Sequence, residues 1–166
     1  MTQVNPHIEL YTDGAASGNP GPGGFGVVLK YAGKRKEISE GFKRTTNNRM
    51  ELLAVIVGLE SIKNKEITVK IYSDSKYVVD AINQKWLQNW IKINFKNKAN
   101  VDLWLRFLKI YDPHKHHFHW VKGHASNVEN NRCDELAVAA GKSHHLHIDE
   151  GFVEKIYRMR EETLAN

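Results

Sequence analysis

The sequence predicts an α/β domain built on a mixed five-stranded sheet, an antiparallel meander followed by parallel strands, with helices on both faces. Three observations predict it. Three strand-like runs joined by short connections come first, and short connections favour antiparallel pairing. From residue 48 onward helical and strand-like runs alternate, the pattern of helices packed on a sheet. The fourth strand-like run, Ile71-Tyr72-Ser73-Asp74, repeats the ending of the first, Leu10-Tyr11-Thr12-Asp13. The connection between those two holds a helix, enough for a crossover that leaves them parallel.

Residues 7–12 alternate apolar with polar and stop at Asp13-Gly14, which reads as a strand. Residues 15–24, dense in glycine and proline, read as a turn. Residues 25–31 and 36–42 complete the meander. Over residues 48–63 the period changes: Met50, Leu53, Ala54, Val57 and Ser61 fall on one helical face, with Asn47 or Asn48 as the cap. Residues 67–73 form a β-branched strand, 74–84 a short helix, and a second helical stretch carries Trp86 and Trp90. Residues 100–111 are apolar enough for a packed helix ended by Asp112-Pro113. Residues 118–121 form the core of the fifth strand and 127–141 the last core helix. Residues 149–166 place Phe152, Ile156, Met159 and Tyr157 at helical spacing. They read as an extension packed back on a domain of residues 1–148, with a partner contact as the alternative.

Composition narrows the class. A chain of 166 residues with 41% hydrophobic and 26% charged residues has the profile of a soluble globular protein. The net charge of +5 favours a polyanionic partner without demanding one. Cys133 is alone, so an internal disulfide is excluded and a reducing compartment fits. The start, Met1-Thr2-Gln3-Val4-Asn5-Pro6, lacks a basic flank and apolar core, and no run reaches the roughly 18 apolar residues of a membrane span. The expectation is a cytoplasmic monomer without a membrane contact.

Four carboxylates carry the chemistry. Asp13, Glu51, Asp74 and Asp134 each lie at or near the end of an apolar stretch, where an unpaired charge is costly. Without a cysteine cluster, a hard divalent cation of the magnesium type is the natural partner for oxygen ligands. Asp13 and Asp74 each follow a tyrosine by two residues and so share its face of the strand. At the carboxyl ends of parallel neighbours about 4.8 Å apart, two aspartates repel unless a cation joins them. Two ions about 3.5–4 Å apart would fit such a site. Taken singly, Asp13 also fits a strand-to-turn cap and Asp74 a helix N-cap. Glu51 suits the first turn of a helix through the dipole alone. The paired pattern favours metal.

Six separated segments resemble bacterial-type ribonuclease HI in order and spacing. They are Tyr11-Thr12-Asp13-Gly14, Gly18-Asn19-Pro20-Gly21-Pro22-Gly23-Gly24, Thr45-Thr46-Asn47-Asn48-Arg49-Met50-Glu51-Leu52, Ser73-Asp74-Ser75, Trp120-Val121-Lys122-Gly123-His124-Ala125 and Asn131-Arg132-Cys133-Asp134-Glu135-Leu136-Ala137. The resemblance implies a ribonuclease H-like fold and cleavage of the RNA strand of RNA–DNA hybrids with two Mg²⁺ ions, Mn²⁺ serving as a substitute. It makes Asp13, Glu51, Asp74 and Asp134 the metal ligands and His124 a loop histidine aiding proton transfer or product departure. It places Asn19, Asn47, Asn48 and Lys76 against the two strands, and Thr46 and Asn89 around a DNA phosphate.

Trp86 and Trp90 lie among Lys92, Lys96 and Lys98, a pattern suited to a nucleic-acid surface and equally to core anchors. Against the family's usual form this basic segment reads as short, which predicts weaker and more salt-sensitive hybrid binding. His114, His116, His117, His119, His144, His145 and His147 read as solvated, with adventitious transition-metal binding as the alternative. Two other functions compete: a related metal nuclease with another substrate, and a catalytically inactive hybrid-binding module. The complete carboxylate set argues against the inactive module.

Overall fold

The computed structural model describes residues 6–165; residues 1–5 and 166 and the side chain of Tyr157 lie outside the described residues. The reading of the extreme N-terminus and of Tyr157 therefore falls outside them too.

The meander is β1 (His7–Ala16), β2 (Gly21–Tyr31) and β3 (Lys34–Thr45), each paired antiparallel with the next. Helix α1 (Asn47–Glu60) crosses over to β4 (Thr68–Ser73), which lies parallel to β1 with Tyr11 opposite Tyr72. Three short helices follow: α2 (Lys76–Asn83), α3 (Trp86–Lys92) and α4 (Val101–Leu108). Then come β5 (His116–Trp120), parallel to β4, and α5 (Val128–Gly141). A two-residue strand, β6 (Leu146–His147), pairs parallel with the outer edge of β3 before α6 (Glu150–Leu164). The sheet order is β5-β4-β1-β2-β3-β6, six strands rather than the five expected. Among the described residues no helix is long and apolar enough to cross a membrane.

The glycine-rich segment is mostly strand. Only residues 17–20 turn, and Gly23, Gly24 and Gly26 sit inside the β1–β2 ladder. A Cβ on Gly24 would lie 2.6 Å from the Ala137 carbonyl oxygen, and one on Gly26 2.3 Å from that of Cys133. These glycines let the backbone of α5 settle directly on the sheet, so their reason is helix–sheet approach rather than turn geometry.

On the opposite face α1 is buried on nearly every side. Leu52, Val55, Ile56 and Leu59 are as inaccessible as the expected stripe of Met50, Leu53 and Ala54, because α1 lies between the sheet and α2 and α4. A helix apolar all round belongs in such a place. Its cap is Thr46, whose hydroxyl accepts from the Arg49 amide at 3.2 Å, and neither Asn47 nor Asn48 does that work. Fully buried Trp104 anchors α4, donating from Nε1 to the Tyr77 hydroxyl at 2.9 Å and packing edge-on against Trp90 and Phe107.

Two of the histidines are not simply solvated. His116 is half-buried and its Nδ1 accepts from the Asp112 amide at 3.0 Å. His119 stacks on Tyr72, which in turn stacks on Tyr11, a three-ring ladder across β5, β4 and β1. Burial lowers the pKa of both imidazoles, keeping them neutral further into the acid range.

Candidate active site

The repeated strand ending delivers its two aspartates to one place. Tyr11 and Tyr72 are register partners with rings 4.9 Å apart, so Asp13 and Asp74 stand at the same level, although β1 runs on past the expected end at Asp13 to Ala16 while β4 stops at Ser73. Glu51 lies just past the first turn of α1, which holds no acidic residue, so the first-turn dipole reading does not apply. The helix rests on the strand because residue 14 is glycine, where a Cβ would lie 2.3 Å from the Glu51 amide nitrogen. Carboxylate oxygens of Asp13, Glu51 and Asp74 lie within 4.8 Å of one another. Asp74 is not the cap of α2; Ser75 holds that position, its hydroxyl accepting from the Val78 amide at 3.3 Å, and the aspartate is left to the cluster.

The cluster is electrostatically unsatisfied. Asp13 is 5% exposed, and burial, then the nearby Asp74 charge, push its carboxyl up to about 8. The same two causes, burial first and then the Asp13 charge, raise Glu51 well above the carboxylate range. Only the Gly14 amide reaches Asp13 from the backbone, donating to Oδ1 at 2.9 Å, and the buried Oε2 of Glu51 has no hydrogen-bond partner. Three oxygens at this spacing with one buried acceptor unpaired fit a divalent cation, which would supply the missing positive charge.

Asp134 stands apart from the three. It lies on α5, half-buried, and does not belong to the cluster, although its charge contributes to raising Asp13. His124 is exposed in the loop between β5 and α5, with a left-handed backbone at φ 54°. That loop crosses Asp74 at Gly123, where a Cβ would lie 2.6 Å from Asp74 Oδ2. Gly123→Ala is expected to keep the fold, with a change under about 1 kcal/mol, because the aspartate can swing away. Displacing that carboxylate should lower turnover roughly 10²-fold, and a comparison of turnover with urea unfolding checks the split.

The residues assigned to substrate divide into groups. Asn19, Asn47 and Thr46 meet beside the start of α1: Asn19 Oδ1 accepts from the Asn47 amide at 2.9 Å, and Asn47 Oδ1 from the Ala16 amide at 2.6 Å. With Asn48 they line a cavity that also includes Asn100. Asn89 is exposed on α3. Lys76 Nζ lies 5.0 Å from the ring centroid of Trp120, whose Nε1 donates to the Asp74 carbonyl at 3.1 Å. Trp120 thus ties a cation to the aspartate, a role the sequence did not single out. Trp86 is 42% exposed and available to a ligand, whereas Trp90 is half-buried against Trp104 and carries Lys98 over its ring.

The family model for RNase H matches residues 5–142. A ribonuclease H of Desulforamulus reducens is 56% identical over 147 residues, 86% of this chain and 92% of the relative. The chain belongs to the ribonuclease H family. A ribonuclease H of Trichodesmium erythraeum is 50% identical over 157 residues, 92% of this chain and 99% of the relative. Among solved structures, LC11-RNase H1 in complex with RNA/DNA hybrid matches with a TM-score of 0.61 and 29% identity, covering 80% of this chain and 95% of that one. The mixed sheet flanked by helices is the ribonuclease H fold, and the matched region stops just short of β6 and α6.

Proposed function

We propose that the chain hydrolyses the RNA strand of RNA–DNA hybrids endonucleolytically, leaving 5′-phosphate and 3′-hydroxyl ends. The observation that carries the reading is the buried, unsatisfied carboxylate cluster in a ribonuclease H fold. Asp13, Glu51, Asp74 and Asp134 would hold two Mg²⁺ ions, with Mn²⁺ as a substitute; Asp134 joins from α5 as the fourth carboxylate. When bound, the ions supply neutralisation of the charge that develops on the phosphoryl oxygens.

The protein's own part is placement. Water attacks the phosphorus in line with the bond to the 3′ oxygen, and that bond breaks. His124, exposed on a loop beside glycine, aids proton transfer or product departure. Asn19, Asn47, Asn48 and Lys76 contact the strands, where amide and carbonyl groups suit the 2′-hydroxyl, both donor and acceptor, across a shallow minor groove. Thr46 and Asn89 grip a DNA phosphate, and Trp86 packs on sugar or base. Trp90 acts through the core, holding α3 in place. Residues 1–148 form the catalytic domain, residues 149–166 extend it, and the chain acts as a monomer in the cytoplasm.

End-labelled hybrid, RNA duplex and DNA duplex, each with Mg²⁺, separate the readings. Cutting confined to the RNA of the hybrid is expected. Tight binding of the hybrid without cutting in either metal would make the chain a binding module, and cutting of another duplex would assign a different substrate.

A further inference from the structure

The cavity beside Asn19, Asn47 and Asn48, of about 500 Å³, has α6 as its other wall, through Phe152, Lys155 and Ile156. An adjoining groove continues along the same helix, with Met159 and Arg160 on α6 facing Pro20 and Arg44. The helix is held there from its base: Asp149, its N-cap, pairs with Arg49 at 2.7 Å.

A helix serving stability alone would turn its apolar residues inward. Here, among the described side chains of α6, none is fully buried, and Met159 and Leu164 remain 58% and 88% exposed. One of its cations, by contrast, shares a cavity with polar asparagines, and a second lies on the groove beside it. Lys155 rims the cavity, and Arg160 stands with Arg44 along the groove beyond it. Arg158 is turned to Glu154 instead and lines neither.

We propose that α6 is part of the hybrid-binding surface, with Lys155 and then Arg160 contacting backbone phosphates of the duplex seated on Asn19, Asn47 and Asn48. This rests on the hybrid reading above and extends the footprint onto a segment outside the matched family region. The exposed apolar side of the helix packs against the sugars of the same strand. Phosphate contacts leave a signature that structural effects do not, because each cation that replaces a condensed counterion adds to the salt dependence of binding.

The test uses the full chain and compares Lys155→Gln, Lys155→Gln/Arg160→Gln and Arg158→Gln with wild type in hybrid cleavage at several salt concentrations. Lys155→Gln is expected to raise KM roughly threefold to tenfold and to lower the slope of log affinity against log salt by about one. The double variant should lower it by about two, while Arg158→Gln changes neither. If Lys155→Gln keeps the wild-type KM and slope while wild type cuts hybrid, α6 lies outside the footprint and this proposal falls alone. An equal effect from Arg158→Gln would reduce it to general charge and overturn it as well. If wild type does not cut hybrid at all, it falls together with the reading it rests on.

Discussion

Asp13→Asn is expected to abolish hybrid cleavage, by at least ~10³-fold, and at the same time to stabilise the metal-free protein at neutral pH by about 3 kcal/mol. Both effects come from one carboxylate. Burial and the neighbouring Asp74 charge push Asp13 from 3.8 up to about 8. Between those values the native state holds a proton that the unfolded chain has released. Stability in the absence of metal therefore falls as pH rises through that window. Glu51, raised well above the carboxylate range by burial and by Asp13, adds a slope of the same sign. An asparagine cannot ionise, so the variant loses its share of the slope together with a ligand. A divalent ion reverses the sign: it binds the ionised carboxylates, so added Mg²⁺ should stabilise wild type more at pH 8 than at pH 5 and the variant much less. Urea unfolding at both pH values, with chelator and with Mg²⁺, measures all four terms. A wild-type stability that rises with pH in chelator would contradict the strained cluster.

The sequence made this cluster legible because its two central members carry their geometry locally. Tyr-Thr-Asp and Tyr-Ser-Asp at the ends of two apolar runs fix face and level together, and the register of Tyr11 with Tyr72 reproduces what the alternation required. Glu51 and His124 came from motifs. What was missed depends on partners far along the chain. Gly24 looks like a turn former until α5, more than a hundred residues on, is found resting on it. Leu146 and His147, at the end of a histidine-rich run, carry no strand signal and pair only because the edge of β3 is there. Trp120 belongs to a recognised segment, yet its tie to Lys76 and Asp74 needs three dimensions. Thr46 rather than the asparagines caps α1, which frees Asn47 to hold the β1–β2 turn through the Ala16 amide.

Arg49 was read only as one letter of a motif, and the second large effect lies there. Its guanidinium, 3% exposed, donates to both oxygens of Asp102 at 2.8 and 2.7 Å and to both oxygens of Asp149 at 2.9 and 2.7 Å. Burial works against that charge, but the hydrogen bonds it donates to the two aspartates outweigh it and hold the side chain protonated more firmly than usual. Thr45 adds a hydroxyl to Asp149 at 2.7 Å, and Gly151 lets the start of α6 close over the pair: a Cβ there would lie 2.0 Å from Asp102 Oδ2. Arg49→Ala removes the one cation that pairs with these two carboxylates among the described residues, one of them buried, and is expected to cost about 3–5 kcal/mol, or roughly 10 °C in Tm for a chain of this size. The loss should be unequal between partners. Asp149→Asn, at a side chain 9% exposed, should cost more than Asp102→Asn at 47%, where water can take over. Faster amide exchange confined first to α6 would show that the network fastens this helix to α1 and α4. Equal protection of α6 in Arg49→Ala and wild type would mean that Phe152 and Ile156 hold it unaided. The consequence reaches the substrate surface, because α1 begins at Asn47 and α6 walls the cavity beside it: loosening the ion network should raise KM for the hybrid even where Asp13, Glu51 and Asp74 are untouched.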